Sequence, residues 1–279
     1  MTEPIGQTPP PGFYPSIPFD EYRAWNALNN STMKAAYGRA AIHAYAAMTR
    51  SSEPSAAMEM GTAIHCAVLE PSRYEADRRI LPEINKKSSI ERGEREALIE
   101  SEPSAIWIEK DDADAIEIMR ANIRQYGLAR KISGSKGERE LSIRWDDDGV
   151  PCRARLDKLC PSVAIVDLKS TRDAAPESFE RDAVKLGYHR QGAWYVDGWK
   201  AITGEVLPYI ILAIETLYPF AVNCFVLDAD LIECGRRENA ETFAMVAPCW
   251  KSSVWTGYPE RLNTLMAPAW LSRRCGLGG

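Results

Sequence analysis

The chain has 279 residues, of which 45% are hydrophobic and 26% are charged, so it is long enough to bury a sizeable core. Its 34 Lys and Arg residues are outnumbered by 39 Asp and Glu residues, and the net charge of −5 argues against a uniformly basic nucleic-acid binder. No apolar run approaches the ~20 residues that span a membrane, and the N-terminus does not resemble a signal peptide, so a cytoplasmic protein without membrane contact is expected.

The N-terminal part of the chain is predicted to be helical after a proline-rich arm. Residues 1–19 contain six prolines and are predicted to form an extended or mobile arm in front of a single domain, residues 20–279. Residues 20–50 are predicted to be helical, and the pair Asn30-Ser31 is expected to cap a helix over residues 32–48.

Two further helices are predicted before the middle of the chain. Small residues with few helix breakers, followed by Pro71, indicate a helix over Ala56–Leu69. Residues 71–110 are polar and mixed, with an exposed loop expected at residues 86–89. Apolar residues at helical spacing then predict a helix over residues 111–126.

Three short strands follow, and they are the best-defined elements of the sequence. Apolar and polar residues alternate over residues 140–145, and an Asp-Gly turn leads into a second strand over Val150–Cys160. Pro161 and Ser162 then turn the chain into a third strand, residues 163–170, which is apolar enough to lie centrally in a sheet.

The rest of the chain is predicted to contain helices around a strand pair. The expected elements are a helical region over residues 179–203 broken near Gly187, a hairpin of residues 207–217 and 221–227, a helix over residues 230–246 capped by Asp230, and a packed tail from Pro248. This order predicts an α/β fold in which helices flank a central sheet.

Acidic side chains in the second and third strands point to metal chemistry. Alternation places Asp157 on one face of the second strand, which it shares with Arg153, Arg155 and Leu159. Asp167 and Lys169 share a face of the third strand, and the tight turn can bring the two acids together. Because a carboxylate in an apolar strand is costly unless it is paired, the pattern predicts either a hard-cation site beside an ammonium or salt bridges at the sheet end.

Polar residues in two helices extend the candidate set. Gln191 and Tyr195 are four residues apart and therefore share a helical face directly after the third strand. His65 lies in a mostly apolar helix, where a histidine is either a packed core residue or a ligand.

The order His … Asp … Asp-x-Lys … Gln-x-x-x-Tyr resembles the RecB-type branch of the PDDEXK nuclease superfamily, and more closely the nuclease domain of the exonuclease VIII (RecE-type) family. The matching segments are GTAIHCAVLEP (61–71), DGVPCRARLDKLCP (148–161), AIVDLKSTRDAAPESFER (164–181), YHRQGAWYVDGW (188–199) and IETLYPFAV (214–222). The resemblance implies a PDDEXK restriction-endonuclease-like core with a central mixed β-sheet flanked by helices.

The resemblance also implies roles for the residues that would bind metal. Asp157 and Asp167 would ligate a divalent cation together with the backbone carbonyl of Leu168, and His65 would be a ligand or lie next to one. Lys169 would position or help deprotonate the attacking water and offset the phosphate charge. Mg²⁺ or Mn²⁺ suits these oxygen ligands, because either ion lowers the pKa of bound water and stabilises the leaving oxygen.

Further residues are implied to meet the substrate. Gln191 and Tyr195 would orient Lys169 or bind the phosphate backbone, and Arg155 and Arg190 are predicted to bind substrate. Glu140 lies on a neighbouring strand, where some relatives carry an extra acid; its alternative is a surface charge at a strand end.

Cofactors other than a divalent metal are not expected. The seven cysteines include no C-x-x-C pair and no closely spaced C-terminal set, so no iron–sulfur cluster is predicted. No Walker A lysine motif is present, so no nucleotide cofactor is predicted either.

By resemblance, the expected activity is 5′ to 3′ digestion of linear double-stranded DNA, which leaves a 3′ single strand for an annealing partner of the RecT type. Related enzymes form rings, so a homo-oligomer, such as a tetrameric ring, is expected. The alternatives are a single-strand-specific or restriction-like endonuclease, and a catalytically silent DNA-binding module on the same fold. Tyr188, Trp194 and Trp199 are either base-stacking or core residues.

The charge is segregated along the chain. Residues 96–119 hold eight acids against one lysine, whereas residues 120–139 hold six bases against one acid. Because phosphate contacts need local rather than total positive charge, this predicts contact with DNA through one channel or cleft, although a solvated basic face is the simpler interpretation of residues 120–139.

Overall fold

The computed structural model describes residues 8–50, 55–85 and 88–276. The elements of its first half are β1 (Gly12–Tyr14), α1 (Phe19–Ala24), α2 (Asn30–Ala36), α3 (Ile42–Thr49), α4 (Ala56–Leu69), α5 (Pro71–Asp77), β2 (Arg78–Ile80), α6 (Ser89–Ser101), β3 (Ile106–Ile108), α7 (Lys110–Gln125) and α8 (Gly127–Gly134). Those of its second half are β4 (Glu138–Asp147), β5 (Val150–Cys160), β6 (Ala164–Thr171), α9 (Pro176–Leu186), α10 (Tyr188–Thr203), β7 (Tyr209–Glu215), β8 (Val222–Val226), α11 (Ala229–Ser252) and α12 (Ala269–Arg274).

A six-stranded mixed sheet organises the fold. Its strand order is β1-β4-β5-β6-β7-β8, and neighbouring strands are antiparallel except for the parallel pair β6 and β7. The strands β2 and β3 form a separate two-stranded parallel ribbon. The predicted α/β architecture, a central mixed sheet flanked by helices, is confirmed.

Helices cover the sheet on both sides and form two hydrophobic cores. In the first core, Leu156 and Ile165 of the sheet pack with Trp194 of α10 and Val246 of α11. The second core joins the opposite side chains of β6 and β7 to α4 and α7, with Val166, Leu168, Leu212, Ile64 and Ile116 among its members. This arrangement places β6 at the centre of the molecule, between the two cores.

Several predicted elements match the structure closely. The helix α4 and the strand β5 have the predicted bounds, and α7 covers residues 110–125. Gly187 separates α9 from α10 with a φ of 77°, a left-handed conformation that favours glycine.

Other predictions of secondary structure were wrong in their details. The predicted helix over residues 32–48 is divided into α2 and α3 near Gly38, whose φ is 64°, and the side chain of Asn29 rather than Asn30-Ser31 accepts the capping hydrogen bond. The helix predicted over residues 230–246 corresponds to α11, which is capped by Asp228, not Asp230, and continues past Pro248 to Ser252.

The polar stretch of residues 71–110 contains four short elements, α5, β2, α6 and β3. Within the predicted loop, residues 86–87 lie outside the described part of the chain and Ser89 begins α6. The predicted tail is not packed throughout, because Leu262, Leu265 and Met266 are almost fully exposed.

The predicted N-terminal arm is partly ordered against the sheet. Residues 1–7 lie outside the described residues, whereas Gly12–Tyr14 pairs with β4 as an edge strand. The division into an arm and one domain over residues 20–279 stays a prediction. None of the helices in the described part of the chain combines the length and apolar character that crossing a bilayer demands.

Candidate active site

The candidate site lies where strands β5 and β6 separate. Backbone pairing between them joins Lys158 to Val166 and continues through Cys160 and Ala164 to the turn. Beyond this pairing, the carboxylate of Asp157 takes the place of a backbone acceptor, since its Oδ2 accepts a hydrogen bond from the Leu168 N–H at 2.8 Å. The separation of the strands opens space beside a central strand.

The backbone also departs from regular strand geometry across from Asp157. Glu140 of β4 has a φ of 51°, although it lies between residues that pair regularly with β5. The alternation predicted along β5 is wrong at this point, because Leu156 and Leu159 both belong to the first core. Such a local irregularity turns side chains toward the opening between the strands.

The second carboxylate, Asp167, is held by two side chains. Its Oδ1 accepts a hydrogen bond from the side-chain amide of Gln191 at 2.9 Å, and its Oδ2 lies 2.6 Å from the Nζ of Lys169. The same Gln191 amide donates to the hydroxyl of Tyr195 at 3.0 Å. Asp167 is only 1% exposed, so these contacts compensate for the burial of its charge.

Two further ligand groups lie beside Asp157. Atoms of His65, Glu140 and Asp157 lie within 4.8 Å of one another, and the Nδ1 of His65 is 3.5 Å from the Oδ2 of Asp157. One imidazole and two carboxylates at this spacing fit a divalent cation, because ligand atoms about 2.0–2.6 Å from one ion lie this close together. Asp167 stands outside this group, with one of its oxygens beside Lys169.

Burial and charge shift the protonation of these groups. Burial, and then the charge of Asp167, raise the pKa of Asp157 well above its usual range, although Lys169 opposes the shift. Burial lowers the pKa of His65, which favours the neutral imidazole that ligates metal. Burial alone would lower the pKa of Lys169, but the carboxylates of Asp167 and Asp157 outweigh it and raise that pKa.

The two predicted substrate-binding arginines have different surroundings. Arg155 lies near the site, with its Nε 2.7 Å from Glu140. Arg190 is 9% exposed, lies over the Tyr37 ring and forms an ion pair of 2.6 Å with Glu238. These contacts connect the end of α2 with α10 and α11, so Arg190 supports packing, and its binding of substrate stays a prediction.

Two residues near the site were not predicted. Tyr209 of β7 is buried next to Asp167, and burial followed by the charge of Asp167 raises the Tyr209 pKa well above its usual value. Lys34 of α2 lies near Lys169 and Arg190; partial burial, and then the charges of these two residues, lower its pKa. Lys34 lies in NALNNSTMKAA (26–36), which resembles the entry helix of the family only loosely and gives this lysine no role, and Tyr209 has the pattern of an apolar strand residue.

A cleft of about 950 Å³ leads to the candidate metal ligands. Its lining includes His65, Glu140, Asp157, Gln191 and Tyr195. Its basic residues are Arg23, Arg50, Arg73, Arg153 and Arg155, and within the described chain the basic segment 120–139 contributes none of the lining. The cleft therefore joins the acidic site to several guanidinium groups.

The tryptophans considered for base stacking are core residues. Trp194 and Trp199 are 6% and 7% exposed, and both pack in the first core. Tyr188 is half-buried, with its ring centroid 4.9 Å from the Nζ of Lys169. The two tryptophans are therefore not available to stack on a base.

Comparison with known proteins identifies the family of the chain. A family described as a PDDEXK-like domain of unknown function (DUF3799) matches residues 30–268. The chain belongs to this family. The crystal structure of a "putative exonuclease" from Eubacterium rectale is similar to this PDDEXK-like chain at a TM-score of 0.61 and 14% identity, covering 91% of this chain and 94% of that one. No curated protein matches the sequence.

The family and the structural similarity confirm the predicted PDDEXK-like fold. They leave the residue roles as predictions, including the proposed carbonyl ligand of Leu168, whose N–H is bound to Asp157. The site residues come from α4, β4, β5, β6 and α10, so the fold brings together segments that the sequence separates widely.

Proposed function

We propose that the protein is a divalent-metal-dependent DNA exonuclease of the RecE type. The observation that carries the proposal is the pairing of two carboxylates at the opening between β5 and β6, Asp157 beside His65 and Glu140, and Asp167 beside Lys169. Burial of these charged groups costs desolvation free energy that a salt bridge at the surface would avoid, so their burial supports a functional site.

The residues divide into a ligand group and a group that faces the substrate. His65, Glu140 and Asp157 would hold the cation, which when bound supplies charge stabilisation for the phosphate and a lowered pKa for water. Lys169 offers an ammonium that offsets phosphate charge and orients the attacking water. Gln191 keeps Asp167 and, through it, Lys169 in place.

The finer features of the proposal follow from the resemblance to exonuclease VIII. We propose that the substrate is linear double-stranded DNA, digested from 5′ to 3′ with Mg²⁺ or Mn²⁺, and that the product strand passes to a RecT-type annealing protein. A homo-oligomeric ring would explain processive digestion without a strongly basic monomer. Light scattering that reports a monomer at working concentration would contradict the ring.

The test is digestion of a 5′-phosphorylated linear duplex labelled at either end, with Mg²⁺, Mn²⁺ or EDTA. We expect metal-dependent release of nucleotides from the 5′ ends by wild type, and none by Asp167→Asn or Lys169→Met. Asp148→Asn is the matched control, because this acid is exposed and pairs only with Lys251 of α11 among the described residues. Equal digestion by all four proteins would refute the site assignment.

The same assay separates the alternatives. Cleavage of closed circular duplex would indicate a restriction-like endonuclease, and digestion of single strands alone would indicate a single-strand-specific enzyme. DNA binding without any cleavage at any metal concentration would indicate a catalytically silent module.

A further inference from the structure

The segment of residues 17–24, which includes α1, is held against β5, the strand that carries Asp157. The guanidinium of Arg153 donates hydrogen bonds to the backbone carbonyls of Tyr22 and of Arg23, the latter at 3.0 Å. Arg155 donates to the carbonyl of Ile17 at 3.1 Å. Helix α1 is therefore fixed on β5 from both ends, and groups on its outer face are preorganised rather than mobile.

That outer face presents an exposed aromatic ring between positive charges. Phe19, the first residue of α1, is 56% exposed although it lines the cleft that holds the candidate site. The guanidinium carbons of Arg23 and Arg155 lie 5.9 and 5.8 Å from its ring centroid, and the Tyr22 ring stacks beside it at 6.2 Å. An aromatic face flanked by guanidinium groups binds unpaired nucleotides, because bases stack on the ring and phosphates meet the cations.

This ring lies close to the metal ligands. Arg155, which contacts Phe19, also forms the 2.7 Å ion pair with Glu140, a member of the candidate metal group. A phosphate held at Arg155 would therefore lie between the ring and the site. Arg23 is exposed and lies four residues after Phe19, on the same face of α1. None of the ion pairs among the described residues involves Arg23, so no carboxylate competes with a phosphate there.

We propose that Phe19 and Arg23 form a platform for one unpaired nucleotide next to the scissile phosphate. Its base stacks on Phe19, and its flanking phosphates meet Arg23 and Arg155. The inference rests on the proposed nuclease function and adds to it a substrate feature: the strand that enters the site is separated from its complement at this point.

Phe13 supplies a matched control. It is 58% exposed, almost the same as Phe19, but its ring packs near Trp199 of the first core at 6.4 Å and does not line the cleft. Replacement of either phenylalanine by alanine removes the same side chain from a similarly exposed position.

The experiment measures binding of single-stranded oligonucleotides and 5′-overhang duplexes to the full chain in EDTA. Each oligonucleotide carries 2-aminopurine or an abasic residue at a single position, and this position moves by one nucleotide from each oligonucleotide of the series to the next. In wild type we expect one position at which 2-aminopurine is quenched and at which loss of the base weakens binding about 5- to 150-fold, the range that stacking of one base supplies. Phe19→Ala should lose the quenching and become insensitive to the abasic residue there, whereas Phe19→Trp and Phe13→Ala should behave as wild type.

Two results would overturn the inference. In the first, Phe19→Ala binds the intact oligonucleotide as tightly as wild type. In the second, Phe19→Ala loses affinity equally for intact and abasic strands, which indicates a structural role. If wild type digests the labelled duplex but no position responds to Phe19→Ala, the platform fails and the nuclease proposal stands. If wild type neither binds nor digests DNA, both fail together.

Discussion

Lys169→Met is the substitution that tests most directly how the site is held together. It keeps the length of the side chain and removes the ammonium 2.6 Å from Asp167, a carboxylate that is 1% exposed. Removing one partner of a buried ion pair costs about 3–5 kcal/mol. Because the Gln191 amide still donates to Asp167, we expect the lower end, about 3 kcal/mol, in the free energy of unfolding at pH 7 without metal.

A double-mutant cycle shows whether this cost belongs to the pair. Asp167→Asn removes the charge that Lys169→Met leaves unpaired, so the double variant should be more stable than the sum of the single effects by at least about 1.5 kcal/mol. The assay is urea unfolding followed by circular dichroism in EDTA, with the digestion assay run in parallel. Single effects that add to within about 0.5 kcal/mol would refute the reasoning, since additivity indicates residues that do not interact.

Three further expectations concern pH, backbone geometry and a buried amine. Burial and the neighbouring carboxylate raise the pKa of Asp157, so the metal-free folded state binds a proton that the unfolded state has lost above about pH 4, and stability falls as pH rises. The melting temperature of Asp157→Asn minus that of wild type should therefore increase from pH 5 to pH 8. A difference between the two proteins that is the same at both pH values would contradict this. Gly187→Ala should lower the free energy of unfolding by about 1–3 kcal/mol, since it combines a φ of 77° with a collision with a guanidinium, whereas Gly204→Ala, at 78° with open space around it, should lose only about 1 kcal/mol. Lys158→Met should cost about 2 kcal/mol in thermal unfolding, because the amine donates to two carbonyls at the end of α8, at 2.7 and 2.8 Å; a change below about 0.5 kcal/mol would show that these bonds contribute little.

The central site followed from local patterns in the sequence. The alternation predicted along β5 fails near Asp157, but the tight turn that pairs β5 with β6 and the helical spacing that places Gln191 beside Tyr195 were predicted correctly. These relations depend on neighbouring residues and on the geometry of strands and helices, which is why they can be read without a structure.

The remaining features depend on contacts between distant segments. Arg190 looks like a free basic residue until Glu238, 48 positions later, is placed against it. The platform at Phe19 likewise needs Arg155 of β5, and the position of Glu140 in the candidate metal group depends on the left-handed backbone conformation of Glu140 itself inside a strand. Propensity and spacing carry no information on such pairings, because tertiary packing decides them.

The strand β1 has a consequence for how the protein can be shortened. The family match begins at residue 30, but β1 occupies the free edge of β4 before that point. An uncovered edge strand offers unpaired N–H and C=O groups to other chains and promotes aggregation. A fragment that begins at the family boundary would expose that edge. It would also lack the carbonyls that accept hydrogen bonds from Arg153 and Arg155. Aggregation of such a fragment would therefore say nothing about the chemistry of the site.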